Sequence, residues 1–267
     1  MQRQLLNLVF LSLLVVSGLV YSQSMEYLDV PVKRQGVRQQ AIMVMPDQPF
    51  DTALLFFKGT DGPVTLRKIE DFRWASNFFI DSPSLFNQAK VALVIMACPT
   101  DQMQFGDCKD WYRKSQEHAD DTLAMMRYLK QQYGVDKFYV MGHSSGTISS
   151  RWLAVNLGDQ LVGSINASTM FKSYMGWAQS ALGINTENVK IPMLYVHHRY
   201  DECPSCPYSG AQYAATRDNL VTVLGGGIGG NRCYEHHHGF EGRGNEVAKA
   251  VIKWIKTGEV EKFIGEE

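Results

Sequence analysis

The chain has 267 residues and a formal net charge of −1, with no long run of one charge sign. A nucleic-acid-binding protein or one that adheres to an anionic membrane surface would carry a basic patch, and this sequence shows none. We therefore predict a globular protein that does not bind nucleic acid.

The N-terminus has the layout of a secretory signal. Arg3 is followed by an apolar stretch over residues 5–20 and then by small residues that a signal peptidase reads. The alternative is a retained membrane anchor, but the stretch is shorter than the roughly 20 residues of a membrane span. We predict a signal peptide over residues 1–22, with cleavage after Ser22 or Ser24. The mature protein is then exported to the periplasm or the medium, with no stable membrane insertion.

Apolar runs and helical patterns alternate along the rest of the chain. Two predicted strands at residues 27–32 and 40–45 come first. Five continuous apolar runs follow, which is typical of parallel strands buried on both faces: residues 53–57, 91–97, 137–141, 161–165 and 191–196.

Three segments have the apolar spacing of amphipathic helices: residues 115–133, 145–157 and 246–256. Strands that alternate with helices predict an α/β fold with a mostly parallel sheet. There is no internal repeat or linker, so residues 23–267 are predicted to form a single domain. The roughly 25 residues between the last two apolar runs are too few for a large lid domain.

The segment Gly142-His143-Ser144-Ser145-Gly146 matches the pattern G-x-S-x-G at a predicted strand–turn–helix junction. In this motif a strained turn exposes the serine, and the glycines remove Cβ atoms that would clash with neighbouring elements. The following helix directs its N-terminal amides at developing negative charge. We predict Ser144 as a nucleophile; the alternative is a turn that happens to contain serine.

A serine nucleophile needs a base and an orienting acid, which follow it in the order acid then histidine in chains with this motif. Asp201 lies just past a predicted strand, and Glu202 is the alternative acid. Among the histidines at 236–238, His238 is the predicted base because Gly-Phe follows it directly. His237 is the alternative base.

The oxyanion hole requires two backbone amides. The amide of Ser145 is the predicted first donor because it follows the nucleophile. The Gly-rich loop after the first buried strand supplies the second, with Thr60 preferred and Asp61 next.

The five cysteines allow a metal site or disulfides. Cys203 and Cys206 have CxxC spacing, and several histidines occur nearby in sequence, so zinc is a candidate. No second CxxC and no His-x3-His pair completes such a site, and we predict neither a metal nor another cofactor. In an exported chain, disulfides are the favoured state, with at least one cysteine left over.

Together these segments resemble the α/β-hydrolase superfamily, and in detail a little-characterised group of secreted bacterial hydrolases. The resemblance spans roughly residues 50–258 and is carried by residues 59–62, 77–79, 98–101, 113–121, 142–147, 201–203 and 233–240.

The resemblance implies a triad of Ser144, Asp201 and His238 on a sheet of about eight strands. It also implies a disulfide between Cys203 and Cys233. A second plausible pair is Cys98 with Cys108, which leaves Cys206 over.

The expected activity is that of an exported serine hydrolase, with carboxylester hydrolysis favoured. A peptidase or thioesterase on the same residues is one alternative. A secreted binding protein that uses this fold without turnover is the other. Met170, Phe171 and Trp177 are candidates for the acyl pocket, or else ordinary core residues.

Overall fold

The structure is a computed structural model that describes residues 24–59, 68, 70, 83–104, 107–173, 180–215, 219–227, 233 and 236–266. The strands are β1 (Ser24–Pro31), β2 (Arg38–Met45), β3 (Thr52–Phe57), β4 (Val91–Met96), β5 (Met103–Gln104), β6 (Asp107–Cys108), β7 (Lys137–His143), β8 (Gly163–Ala167), β9 (Met193–His198), β10 (Leu220–Val223) and β11 (Phe263–Ile264). The α-helices are α1 (Pro83–Gln88), α2 (Asp110–Arg113), α3 (Gln116–Tyr133), α4 (Gly146–Leu157), α5 (Tyr208–Ala214) and α6 (Gly244–Thr257).

Nine of these strands form one sheet in the order β1-β2-β4-β3-β7-β8-β9-β10-β11, while β5 and β6 form a separate hairpin. The pairs β1–β2 and β2–β4 are antiparallel, and every later pair across the sheet is parallel. The α/β-hydrolase fold with a mostly parallel sheet and flanking helices is therefore confirmed.

The sheet has nine strands where about eight were predicted. Hydrophobic patterning missed β10 and β11 because these strands have only four and two residues. Strands β8 and β9 also begin and end two residues later than predicted. β9 ends at His198 rather than residue 196, because pairing with β10 continues through two buried histidines that an apolar pattern excludes.

The core lies on both faces of the sheet, as continuous apolar strands require. Helix α6 covers one face with Val247, Val251 and Trp254. On the other face, α3 and α4 pack side chains such as Met125 and Leu153 against the strands. None of the helices in the described ranges has the length and hydropathy of a membrane span.

Helix α3 begins and ends where its sequence signals predict. The Ser115 side chain accepts a hydrogen bond from the His118 amide at 3.1 Å, which satisfies a donor of the first turn. Gly134 ends the helix with a φ of 72°, in the left-handed region that favours glycine.

Strand β7 lies between β3 and β8 in the middle of the sheet. Its register pairs Gly142 with Phe57 of β3 and His143 with Ala167 of β8. The carboxyl ends of all three strands therefore meet at one edge, next to Ser144. In open α/β sheets this edge is where ligands bind.

Candidate active site

The turn after β7 exposes Ser144 between the strand and helix α4. Ser144 has a φ of 55°, a backbone conformation that non-glycine residues rarely adopt and that costs of order 1–3 kcal/mol. The turn is anchored by the Ser144 amide, which donates to the carbonyl of Ala167 at 3.1 Å. The strained turn that the sequence motif predicts is present in the structure.

The glycines around this turn stand where no side chain fits. A Cβ on Gly146 would overlap the carbonyl oxygen of Phe57, and one on Gly142 would overlap the carbonyl of Gly146. A Cβ on Gly59 would lie 2.7 Å from Ser144 Cβ and 2.8 Å from the His143 oxygen. Gly59, two residues after β3, is thus in direct contact with the turn at Ser144.

Asp201 and His238 form a buried pair at the same edge of the sheet. His238 Nδ1 lies 3.0 Å from Oδ2 and 3.2 Å from Oδ1 of Asp201, and both side chains are fully buried. Because an ionised carboxylate only accepts hydrogen bonds, Nδ1 is the protonated nitrogen. Asp201 Oδ1 also accepts from the Cys203 amide at 2.9 Å, which fixes the carboxylate.

The alternative acid and base are placed elsewhere. Glu202 is exposed to solvent. The His237 ring stacks on His198 with centroids 3.9 Å apart, and its Nδ1 lies 3.0 Å from the carbonyl oxygen of Tyr200. Of the predicted pairs, the structure brings together Asp201 and His238.

The Nε2 atom of His238 has no hydrogen-bond partner in the described part of the chain, although it is buried. The hydrogen bond between this atom and Ser144 Oγ is therefore not formed in this state. Such links are often long without substrate and shorten in the reacting complex.

Of the residues predicted to form the oxyanion hole, the structure describes only Ser145. Ser145 is buried directly after Ser144, and its Oγ has no hydrogen-bond partner among the described residues. The Ser145 side chain therefore adds no hydrogen bond at this turn. Thr60 and Asp61 lie outside the described residues.

A buried arginine that sequence reasoning did not identify connects the residue after β3 to helix α4. Arg113 donates to the carbonyl of Lys58 at 3.1 Å and to Ser149 Oγ of helix α4 at 3.2 Å. It thereby joins the end of β3 to the helix that follows Ser144. Its only sequence signal is its place in the 113–121 segment of the resemblance.

Two disulfides are present, Cys98–Cys108 and Cys203–Cys233. The second joins the loop that carries Asp201 to the segment that leads to His238. Cross-linking these loops restricts how far the acid and the base can separate.

Cys206 is the one free cysteine, and it is buried beside the site. One ligand atom from each of Cys203, Cys206 and His238 lies within 4.8 Å of the others. The Cys203 sulfur is bonded to Cys233, and His238 Nδ1 is paired with Asp201. This donor set therefore lacks the free thiolates and imidazoles that zinc requires.

Burial also raises the pKa of the Cys206 thiol well above its ordinary value, which disfavours a reactive thiolate.

Burial keeps the histidines around the pair neutral. It lowers the pKa of His143 well below its usual value and that of His198 to about 4. It also lowers the pKa of His197, although the nearby Asp201 carboxylate opposes this shift. These three histidines therefore add no positive charge beside the pair.

Two of the candidate acyl-pocket residues, Met170 and Phe171, lie in different apolar clusters. Met170 belongs to an apolar cluster with Ile148 and Cys206, and its amide donates to Thr147 Oγ1 in the first turn of α4 at 3.1 Å. Phe171 packs instead against Tyr195 and is a core residue. Trp177 lies outside the described residues.

Comparison with known proteins supports the fold. A family model described as "Alpha/beta hydrolase of unknown function (DUF915)" matches residues 96–161, which include the nucleophile turn. A search of curated proteins finds no match.

Solved structures match over most of the chain, at sequence identities that show the fold alone. Est1E from Butyrivibrio proteoclasticus has a TM-score of 0.59 and 17% identity, covering 86% of this chain and 97% of that one. An alpha-beta serine hydrolase homologue from Coxiella burnetii has 0.57 and 13%, covering 85% and 96%. The fluorophosphonate-binding serine hydrolase FphF of Staphylococcus aureus has 0.57 and 14%, covering 87% and 98%.

We predict that Gly146→Ala destabilises the protein, because the new Cβ would overlap the Phe57 backbone. The free energy of unfolding should fall by about 1–3 kcal/mol in urea denaturation. Gly183→Ala is the matched control, since its nearest contact is Lys114 Nζ at 3.5 Å. Equal stability of the two variants would contradict the tight contact described here.

Proposed function

We propose that this α/β-hydrolase-fold chain is a serine hydrolase with Ser144 as nucleophile, His238 as general base and Asp201 as the orienting acid. The observation that carries the proposal is the Asp201–His238 pair beside a strained serine turn at the carboxyl edge of the sheet. A strained serine, a base and a buried acid at one site are the parts that acyl transfer needs.

In the proposed reaction, Ser144 Oγ attacks the carbonyl carbon while its proton passes to His238 Nε2. The negative charge of Asp201 stabilises the imidazolium that results. The amides of Ser145 and Thr60 hold the oxyanion. The imidazolium then protonates the leaving alcohol, and water releases the acyl group by the same steps. This chemistry needs no metal or organic cofactor.

Carboxylic esters are the proposed substrates. The crossover between β8 and β9 has 25 residues, which is too few for a large lid domain. The structural neighbours include esterases such as the Pyrobaculum calidifontis enzyme, with a TM-score of 0.57 and 15% identity over 88% of this chain. Both points favour an accessible small ester over a peptide or thioester.

The triad is tested by labelling the purified protein with a fluorophosphonate probe. Wild-type protein should label covalently, and Ser144→Ala should not. Asp201→Asn should reduce the labelling rate by about 10²–10⁴-fold, because it no longer holds the proton on Nδ1. Ser145→Ala is the matched control and should label normally, because only its backbone amide takes part. If wild type and Ser144→Ala label equally poorly, the chain is a non-catalytic binding protein.

The acyl pocket is tested with 4-nitrophenyl esters of two to eight carbons. Met170→Ala should favour longer acyl chains, raising the octanoate-to-acetate ratio of kcat/KM about tenfold, because the cluster beside Ser144 gains space. Leu182→Ala, an exposed residue of the same crossover, is the control. An unchanged ratio in Met170→Ala would place the acyl group elsewhere. Turnover of peptides or thioesters but not esters would replace the proposed substrate class.

We also propose that the protein is exported, with residues 1–22 as its signal peptide and residues 23–267 as the mature domain. Two disulfides are compatible with an oxidising compartment. Expression in a bacterial host should yield periplasmic or secreted protein whose N-terminal residue is Gln23 or Met25. Recovery of the full-length chain in the cytoplasmic fraction alone would contradict export.

A further inference from the structure

The backbone carbonyl of His238 is held by two side chains that the triad does not include. His143 Nε2 lies 2.9 Å from this oxygen, and Ser168 Oγ donates to it at 2.8 Å. His143 and Ser168 are at most 5% exposed, so water does not compete for these hydrogen bonds.

Both donors come from the edge of the sheet that carries the nucleophile. His143 is the last residue of β7 and directly precedes Ser144. It pairs with Ala167 of β8, which directly precedes Ser168. Ser168 is held by its amide, which donates to Val196 at 2.9 Å, and it adopts a positive φ of 43°. A strained non-glycine residue persists only where its surroundings hold it.

The hydrogen bond to the His238 carbonyl indicates which nitrogen of the His143 ring carries the proton. A carbonyl oxygen only accepts, so the proton of the His143 ring is on Nε2. Burial lowers the pKa of His143 well below its usual value, which keeps the ring neutral. His143 therefore donates a neutral hydrogen bond and adds no charge next to His238.

These contacts connect both His238 and Ser144 to the carboxyl ends of β7 and β8. The Ala167 carbonyl accepts from the Ser144 amide, and the next residue, Ser168, holds His238. Because Asp201 orients the His238 ring through Nδ1, fixing the backbone carbonyl leaves the ring little freedom to move relative to Ser144 Oγ. A misplacement of about 1 Å at a reacting group can cost about 10²-fold in rate.

We propose that His143 and Ser168 are positioning residues that fix the carbonyl of His238 and thereby align its ring with Ser144. The inference rests on the proposed function, and neither residue touches the substrate. Both hydrogen bonds act before substrate binds, so they should influence kcat more than KM.

The test compares side chains that keep or lose the donor. Ser168→Ala and His143→Met should each lower kcat for a 4-nitrophenyl ester about 10–100-fold, with KM changed less than about threefold. His143→Gln keeps an N–H donor of similar reach and should recover most of that loss.

Ser164→Ala is the matched control for Ser168→Ala. Ser164 lies on β8, the strand that Ser168 directly follows, is equally buried, and also donates to a backbone carbonyl, that of Ser150 at 3.1 Å. It should retain kcat within about twofold to threefold. The inference is overturned if Ser168→Ala and Ser164→Ala lose kcat equally, or if His143→Gln is no better than His143→Met.

A second readout does not require turnover. The proton between His238 Nδ1 and Asp201 should give a low-field ¹H NMR resonance, which is assigned by its loss in Asp201→Asn. The double variant His143→Met/Ser168→Ala should broaden or lose this resonance, while Ser164→Ala keeps it. An unchanged resonance in the double variant would overturn the inference. Failure of the proposed function appears separately, as wild-type protein that shows no labelling and no ester turnover.

Discussion

The backbone contact between the turn at Ser144 and the end of β3 is the constraint on which the rest of the site depends. Gly59, Gly142 and Gly146 allow this contact because a Cβ at any of them would overlap neighbouring atoms. The contact places Gly59 beside Ser144, and α4 begins two residues further along the chain, at Gly146. The positive φ of Ser144 is maintained because the strand, the helix and Gly59 surround the turn.

The loops that carry Asp201 and His238 are joined to each other and to the sheet by different interactions. The Cys203–Cys233 disulfide connects the two loops to each other, close in sequence to both Asp201 and His238. Hydrogen bonds from His143 and Ser168 connect the His238 backbone to β7 and β8. Covalent and hydrogen-bonded links therefore act on the same buried pair, which favours a preorganised site over one assembled by substrate.

Several features of the fold and the site follow from local sequence. Buried parallel strands read as continuous apolar runs, so β3, β4 and β7 were predicted close to their observed bounds. Asp201 and His238 were selected by chain order and by their neighbours. The prediction was less accurate at β8, β9 and β10, where buried polar residues and short strands interrupt the pattern. Those strands are defined by pairing with neighbours distant in sequence, which no local pattern contains.

By itself, the sequence determined the alternation of strands and helices, the strained serine turn and the residue types available for acyl transfer. These depend on local properties: hydrophobic periodicity, the absence of a Cβ in glycine, and helix-capping side chains. Only the tertiary structure decided that His238 rather than His237 faces Asp201, that Cys206 lies unpaired beside the site, and that His143 and Ser168 meet at one carbonyl. Those outcomes depend on the register and closure of strands and loops that are up to 95 residues apart in the chain.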